Sequence, residues 1–153
     1  MTLTKQVKPE SEMKEYVSDV MNPDPHTVSK TASLVEATQE MLSNDCGFLI
    51  VTDNGKPDGV ITDRDIVIFG IAEGKDPKSA KVEELMTKQL ITCYQNETLA
   101  YAADHISEND IRRLVVLDEN DKLAGVVSIV DMIKHVEDDS INFEVIKHLF
   151  KYA

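Results

Sequence analysis

The chain is written twice, and that duplication limits the folds open to it. "DVMNPDPHTVSKTASL" (Asp19–Leu34) aligns with "ELMTKQLITCYQNETL" (Glu84–Leu99) at an offset of 65, placing Met21 on Met86, Val28 on Cys93, Thr31 on Asn96 and Leu34 on Leu99. "CGFLIVTD" (Cys46–Asp53) keeps the same offset against "IRRLVVLD" (Ile111–Asp118). One extra residue in the next turn moves the offset to 66, so that Gly59 meets Gly125, Thr62 meets Ser128 and Asp65 meets Asp131. A fixed period of this kind marks a repeated supersecondary unit. A unit of roughly 60 residues buries too little surface to be comfortable alone. The two copies are therefore expected to pack against each other.

Each copy has the same coarse order. Short strands at His26–Ser29 and Leu90–Cys93 lead into helices for which Thr31 and Asn96 are the expected N-caps. Leu34, Ala37 and Met41, and in the second copy Leu99, Ala102 and Ile106, mark one apolar stripe per helix. Two strands follow in each copy: Phe48–Thr52 with Gly59–Ile61, and Leu114–Leu117 with Gly125–Val127. Their turns, "TDNGKPD" and "LDENDKLA", are rich in Asp, Asn and Gly, as hairpin connections are. A second helix starts at Thr62 or Ser128 and runs on through "IVIFGIA" or "MIKHV". The runs Leu49–Val51 and Leu114–Val116 are apolar without alternation, which suits sheets covered on both faces.

The expected fold class is thus α/β of the α+β type: two β-α-β-β-α units, residues 17–77 and 78–138, packed sheet to sheet with pseudo-twofold symmetry. "EGKDPKSAK" (Glu73–Lys81) reads as the linker between them. Residues 1–16 form a tail or short helix, and 139–153 an amphipathic helix that packs on its own module or covers a dimer surface.

Charge narrows the function. A net charge of −12 argues against nucleic acid and anionic membrane as general partners, because both would be repelled. Of 16 basic residues 13 are lysines, and the arginines are Arg64, Arg112 and Arg113. No apolar run reaches bilayer length, and "MTLTKQVKPESEMKEY" lacks the apolar centre of a secretion signal. Cys46 and Cys93 form no CxxC pair and read as small buried hydrophobes, and the four histidines show no metal-ligand spacing. No Ser–His–Asp order, nucleophile elbow or Walker loop is present, and nothing activates Asp63, Asp65 or Asp131 as a catalytic carboxylate. The expectation is a cytoplasmic, non-enzymatic protein with no metal.

"GVITDRDIV" and "GVVSIVDMI" each end a strand in Thr/Ser-x-x-Asp. One reading is a capping box, in which hydroxyl and carboxylate close the free N–H groups of a helix start. The other is a ligand site. A strand giving way to a helix offers unpaired N–H groups to a phosphate, and an Asp three residues on can accept two hydrogen bonds from a ribose diol. The hydroxyl of Thr62 or Ser128 can meanwhile reach a phosphate oxygen. All three arginines fall beside these motifs, where guanidinium groups suit phosphate; their alternative is pairing with the many carboxylates.

The doubled order, with "GVITDRDIV", "GVVSIVDMI" and the Met that opens each repeat, closely resembles a tandem pair of CBS domains, the Bateman module, from about Val17 to Val136. The resemblance implies ligands of the adenosine class: AMP, ADP, ATP or S-adenosylmethionine. It implies that Asp65 and Asp131 hold the ribose, that Thr62 and Ser128 lie at the phosphate, and that Thr27, Val28, Ile91 and Thr92 flank the adenine. Arg113 sits where relatives often place a phosphate-binding basic residue. It also implies a homodimer, with an adenine nucleotide as ligand and a regulated protein as a further partner. The copies differ: Gly47-Phe48 stands against Arg112-Arg113, and Asp63-Arg64 against Ile129-Val130. The Ser128/Asp131 site, backed by Arg113, is expected to be the better phosphate binder. The alternative is an interaction or dimerisation module whose cleft is vestigial.

Overall fold

A computed structural model describes residues 16–135; the expected N-terminal tail and C-terminal helix lie outside the described residues. Its elements run α1 (Val17–Val20), β1 (Thr27–Ser29), α2 (Leu34–Ser43), β2 (Phe48–Asp53), β3 (Lys56–Thr62) and α3 (Asp63–Asp65), which continues as a π-helical turn, Ile66–Ile71. The second copy follows with α4 (Val82–Leu85), β4 (Thr92–Tyr94), α5 (Leu99–Glu108), β5 (Arg113–Leu117), β6 (Leu123–Ser128) and α6 (Ile129–His135). Two three-stranded sheets result, β1-β2-β3 and β4-β5-β6, each with one parallel and one antiparallel pair. The mixed α/β class and the doubled unit expected from the sequence are what the chain adopts.

The helix starts differ from expectation. α2 is capped by Ser33, whose hydroxyl accepts from Glu36 N–H at 3.1 Å while the Glu36 carboxylate accepts from Ser33 N–H at 2.7 Å. α5 is capped by Thr98, which accepts from Tyr101 N–H at 3.2 Å. Thr31 instead shares a hydrogen bond with Ser29, and Asn96 lies in the turn before the cap. The reciprocal Ser-x-x-Glu box outcompetes an isolated Thr two residues earlier. The helix expected through "IVIFGIA" also changes character, because Ala72 N–H reaches Val67 O and Lys75 N–H reaches Gly70 O, i to i+5 bonds that widen the turn.

Two apolar clusters form, and each draws on both copies. The first contains Val28, Leu34, Ala37, Leu49, Val51 and Ile61 together with Val82 and Leu85 of α4. The second contains Leu99, Ile106, Leu114, Val116, Val127 and Met132 together with Val17 and Val20 of α1. Each repeat thus lends its opening turn to the other's core. Backbone bridges fix the exchange: Asn22 pairs with Val126, and Thr87 with Val60. A Cβ on Gly59 would lie 2.6 Å from Thr87 O, and one on Gly125 would overlap Asn22 O, so both signature glycines are set by a neighbouring backbone.

The remaining sheet faces meet each other. Ile50 and Val115 are 0% and 3% exposed yet belong to neither cluster, so they lie on the opposite faces of β2 and β5. Phe48 and Arg113 share those faces, and the Arg113 guanidinium sits 4.9 Å from the centre of the Phe48 ring. The two sheets therefore pack face to face, with Phe48 and Arg113 touching where the repeats join.

Candidate functional site

Both Thr/Ser-x-x-Asp motifs form caps. Thr62 N–H donates to Asp65 Oδ2 at 2.9 Å, and Asp65 N–H donates to Thr62 Oγ1 at 3.1 Å. Ser128 and Asp131 repeat this at 2.8 and 3.1 Å, and the Ser128 hydroxyl adds a bond to Asp131 Oδ2 at 2.8 Å. All four residues are partly exposed. One carboxylate oxygen of each Asp is engaged in its cap, while Oδ1 remains to accept from an incoming donor.

A cleft of about 350 Å³ opens between the repeats. Asn22, Pro25 and His26, which lead into β1, form one wall; Asp45, Cys46, Gly47 and Phe48, which lead into β2, form another; Arg113 and Val126 of the second repeat complete it. Antiparallel register ties the cleft to the motifs, since Phe48 pairs with Thr62 and Arg113 with Ser128. Beside it, the Asp63 carboxylate lies against Gly47, where a Cβ would come within 2.6 Å of Oδ2. Its other oxygen accepts from Arg64 N–H at 2.8 Å.

Arg113, expected to back Ser128 and Asp131, is the cross-strand partner of Ser128 in β5–β6, and its side chain also lines the cleft built mainly from first-repeat residues. Val28 was expected beside an adenine; its side chain is buried in the first apolar cluster, because strand alternation turns it inward between exposed Thr27 and Ser29. Thr27 and Val28 border a different groove on the outer side of β1. Ile91 packs on the second cluster and gives its carbonyl to Val115 N–H at 3.3 Å, and Thr92 pairs with Val115 in β4–β5. Arg64 and Arg112 are exposed. Among the described residues the ion pairs are Lys30–Asp53 and Lys75–Glu84, so none of the three arginines is tied to a described carboxylate. Asn22, Pro25, His26, Cys46 and Val126 were missed, although "NPDPH" before β1 carried the signal of a shaped, non-helical wall.

Two further groups bear on chemistry. Burial pushes the Cys93 thiol up to about 12, with a smaller push from the Glu97 carboxylate, so it stays protonated and unreactive at neutral pH. Among the described residues no group of three or more His, Cys, Asp or Glu is placed to hold a metal ion, and no helix is long and apolar enough to cross a membrane.

Comparison with known proteins agrees with this architecture. The profile of the CBS domain matches residues 17–70 and 82–138. An uncharacterized protein of Methanopyrus kandleri is 32% identical over 119 residues, 77% of this chain; the chain spans 61% of that protein's length. Hypoxic response protein 1 of Mycobacterium tuberculosis is 33% identical over 124 residues, 80% of this chain and 86% of that one. Its crystal structure, with two coordinated zinc ions, superposes with a TM-score of 0.71 at 32% identity, covering 79% and 98% of the two chains. The CBS domain pair of protein MJ0100, crystallised with 5′-methylthioadenosine and S-adenosyl-L-methionine, superposes with a TM-score of 0.68 at 28% identity, covering 78% and 97%.

Proposed function

This chain belongs to the CBS-domain family, and on that footing we propose that it is a non-catalytic regulatory module holding an adenosine-class ligand between its repeats. The observation that carries the reading is the cleft walled by both repeats, into which the second repeat sends Arg113. Its volume, about 350 Å³, falls at the small end of ligand sites and suits a mononucleotide or nucleoside-sized molecule. The bound adenosyl compounds of the MJ0100 domain pair support the ligand class.

In this reading Arg113 supplies the charge-assisted contact to a phosphate, while Thr62, Arg64 and Asp65 border the first site. Arg112, Ser128 and Asp131 border the second, with Oδ1 of each Asp accepting from the ribose diol. A ligand seated there ties one repeat to the other. It regulates a partner protein to the extent that its affinity differs between two relative arrangements of the repeats. The module works in the cytoplasm as a homodimer; sedimentation equilibrium at the mass of a single chain would contradict the dimer, and recovery outside the cytoplasmic fraction the location.

Calorimetry on the full chain with AMP, ADP, ATP and S-adenosylmethionine tests the proposal. Arg113→Ala should weaken the phosphate-bearing ligands by about 10- to 100-fold, the value of a charged hydrogen bond, and S-adenosylmethionine by less. Asp131→Ala should weaken a ribonucleotide more than its 2′,3′-dideoxy form. Absence of heat with all four compounds would end the proposal. It would leave the second reading, an interaction module with a vestigial cleft, which the self-satisfied caps at Thr62 and Ser128 favour.

A further inference from the structure

Three of the chain's four tyrosines come to one place on the second repeat. Tyr16 makes a backbone bridge with Thr98, Thr98 caps Tyr101 N–H, and Tyr94 O accepts from Glu97 N–H in the turn that precedes the cap. Val17 and Ser18 N–H groups donate to Glu97 O and Gln95 O at 2.9 Å, which locks the strand end, turn and helix start together. The rings are 47%, 41% and 49% exposed for Tyr16, Tyr94 and Tyr101. Tyr94 gives its hydroxyl to Asp121 at 2.7 Å, and Tyr101 stacks on His105.

Pseudo-symmetry shows that these tyrosines are a departure. The equivalent positions around the first sheet, at the offset of 65, are Lys81, Ser29 and Glu36. Lys81 bridges Ser33 just as Tyr16 bridges Thr98, and all three line an open polar groove of about 790 Å³. The same structural location is thus a hydrophilic trough in one repeat and an aromatic surface in the other. The fold does not require tyrosine there, since the first repeat folds without it.

Carboxylates outnumber cations in the described stretches that carry the tyrosines. Neither Tyr16–Ser29 nor Gln89–Ile111 contains a lysine or arginine, while Asp19, Glu97, Asp104 and Glu108 lie in those stretches, and Asp121 is hydrogen-bonded to Tyr94. Tyrosine is enriched at the energetic centres of protein interfaces, and aromatic faces attract guanidinium groups, more so where carboxylates stand beside them. The molecule already uses this pairing internally, in Arg113 over Phe48. We propose that the surface formed by Tyr16, Tyr94 and Tyr101 docks a basic, arginine-bearing polypeptide segment of a partner protein. The docking is independent of whether the cleft between the repeats holds a ligand.

The test uses the full chain and a fluorescent hexa-arginine peptide, with hexalysine and hexaglutamate for comparison, at about 150 mM salt to screen diffuse attraction. A Tyr16→Ala/Tyr101→Ala double variant keeps the net charge, so nonspecific binding to an acidic protein is unaltered. It should lose about tenfold or more in affinity for the arginine peptide, and the corresponding double Phe variant should retain most of it. Hexalysine should bind several-fold more weakly, because a guanidinium stacks better than an ammonium. In wild type, arginine-peptide titration should shift backbone amide resonances of residues 94–104. Unchanged affinity in the double Ala variant would overturn the proposal. So would shifts spread over the whole acidic surface or centred on the polar groove of the first repeat, and this mapping stands even if the Ala variant fails to fold.

Discussion

Ser33 is the one polar residue among the buried ones described, at 8% exposure, and it keeps that position because its hydroxyl and N–H are both satisfied by Glu36. Removing the hydroxyl leaves Glu36 N–H without its acceptor in a part-buried site. Ser33→Ala should therefore lower stability by about 1–2 kcal/mol, the upper range for an N-cap. Thr31, exposed and bonded to Ser29, should tolerate alanine within about 0.5 kcal/mol. Chemical denaturation of the two variants decides between them, and equal losses would mean that the cap was misassigned. The same logic separates structure from ligand at Asp65 and Asp131. Each anchors a cap, so its replacement costs stability as well as any ribose contact, and binding must be compared across ligands rather than against wild type alone.

The π-helical turn Ile66–Ile71 turns Ile66 and Gly70 inward, where Gly70 leaves room for Leu34 and Leu85, and leaves Val67, Ile68, Phe69 and Ile71 40–55% exposed. Val130 and Ile133 repeat a smaller version on α6. An apolar strip of this kind on a helix next to each motif fits the proposed homodimer. Phe69→Glu should shift the chain towards monomer in sedimentation while leaving its melting temperature nearly unchanged, because Phe69 contributes little to the monomer's core. A dimer that survives the substitution would place the interface elsewhere. This face shows why the sequence was readable in one respect and not another. The repeat was legible from its constant offset, the strands from their apolar runs, and the stripe Leu34–Ala37–Met41 because apolar periodicity reports burial. A π-turn and a surface strip carry no period of their own, and the choice between Thr31 and Ser33 as cap rested on a Glu three residues downstream of Ser33. At the site, Thr62, Asp65, Ser128 and Asp131 stood out from a local motif. Asn22, His26 and Val126 did not, because β1–β2 pairing brings His26 beside Gly47 and packing between the repeats brings Asn22 to Val126.

Sequence repeats and packing units do not coincide in this molecule, and that has a mechanical consequence. Val82 and Leu85 belong to the second copy by sequence but to the core of the first sheet, while Val17 and Val20 make the reverse exchange. The bridges Asn22–Val126 and Val60–Thr87 then run directly beside the signature glycines, at the residues two positions before Ser128 and Thr62. A displacement of either opening turn is therefore passed to the strand that positions the opposite motif, and a ligand of the proposed kind, touching both repeats, would bias both cores at once. The crossed arrangement makes a directional forecast for hydrogen exchange. Leu85→Ala, costing on the order of 2 kcal/mol or more, should speed exchange in β2 and β3 of the first repeat before β5 and β6. Val17→Ala should do the opposite, loosening β5 and β6 although it lies at the start of the first repeat. If each substitution loosened the sheet of its own sequence copy instead, the exchange of opening turns would be wrong.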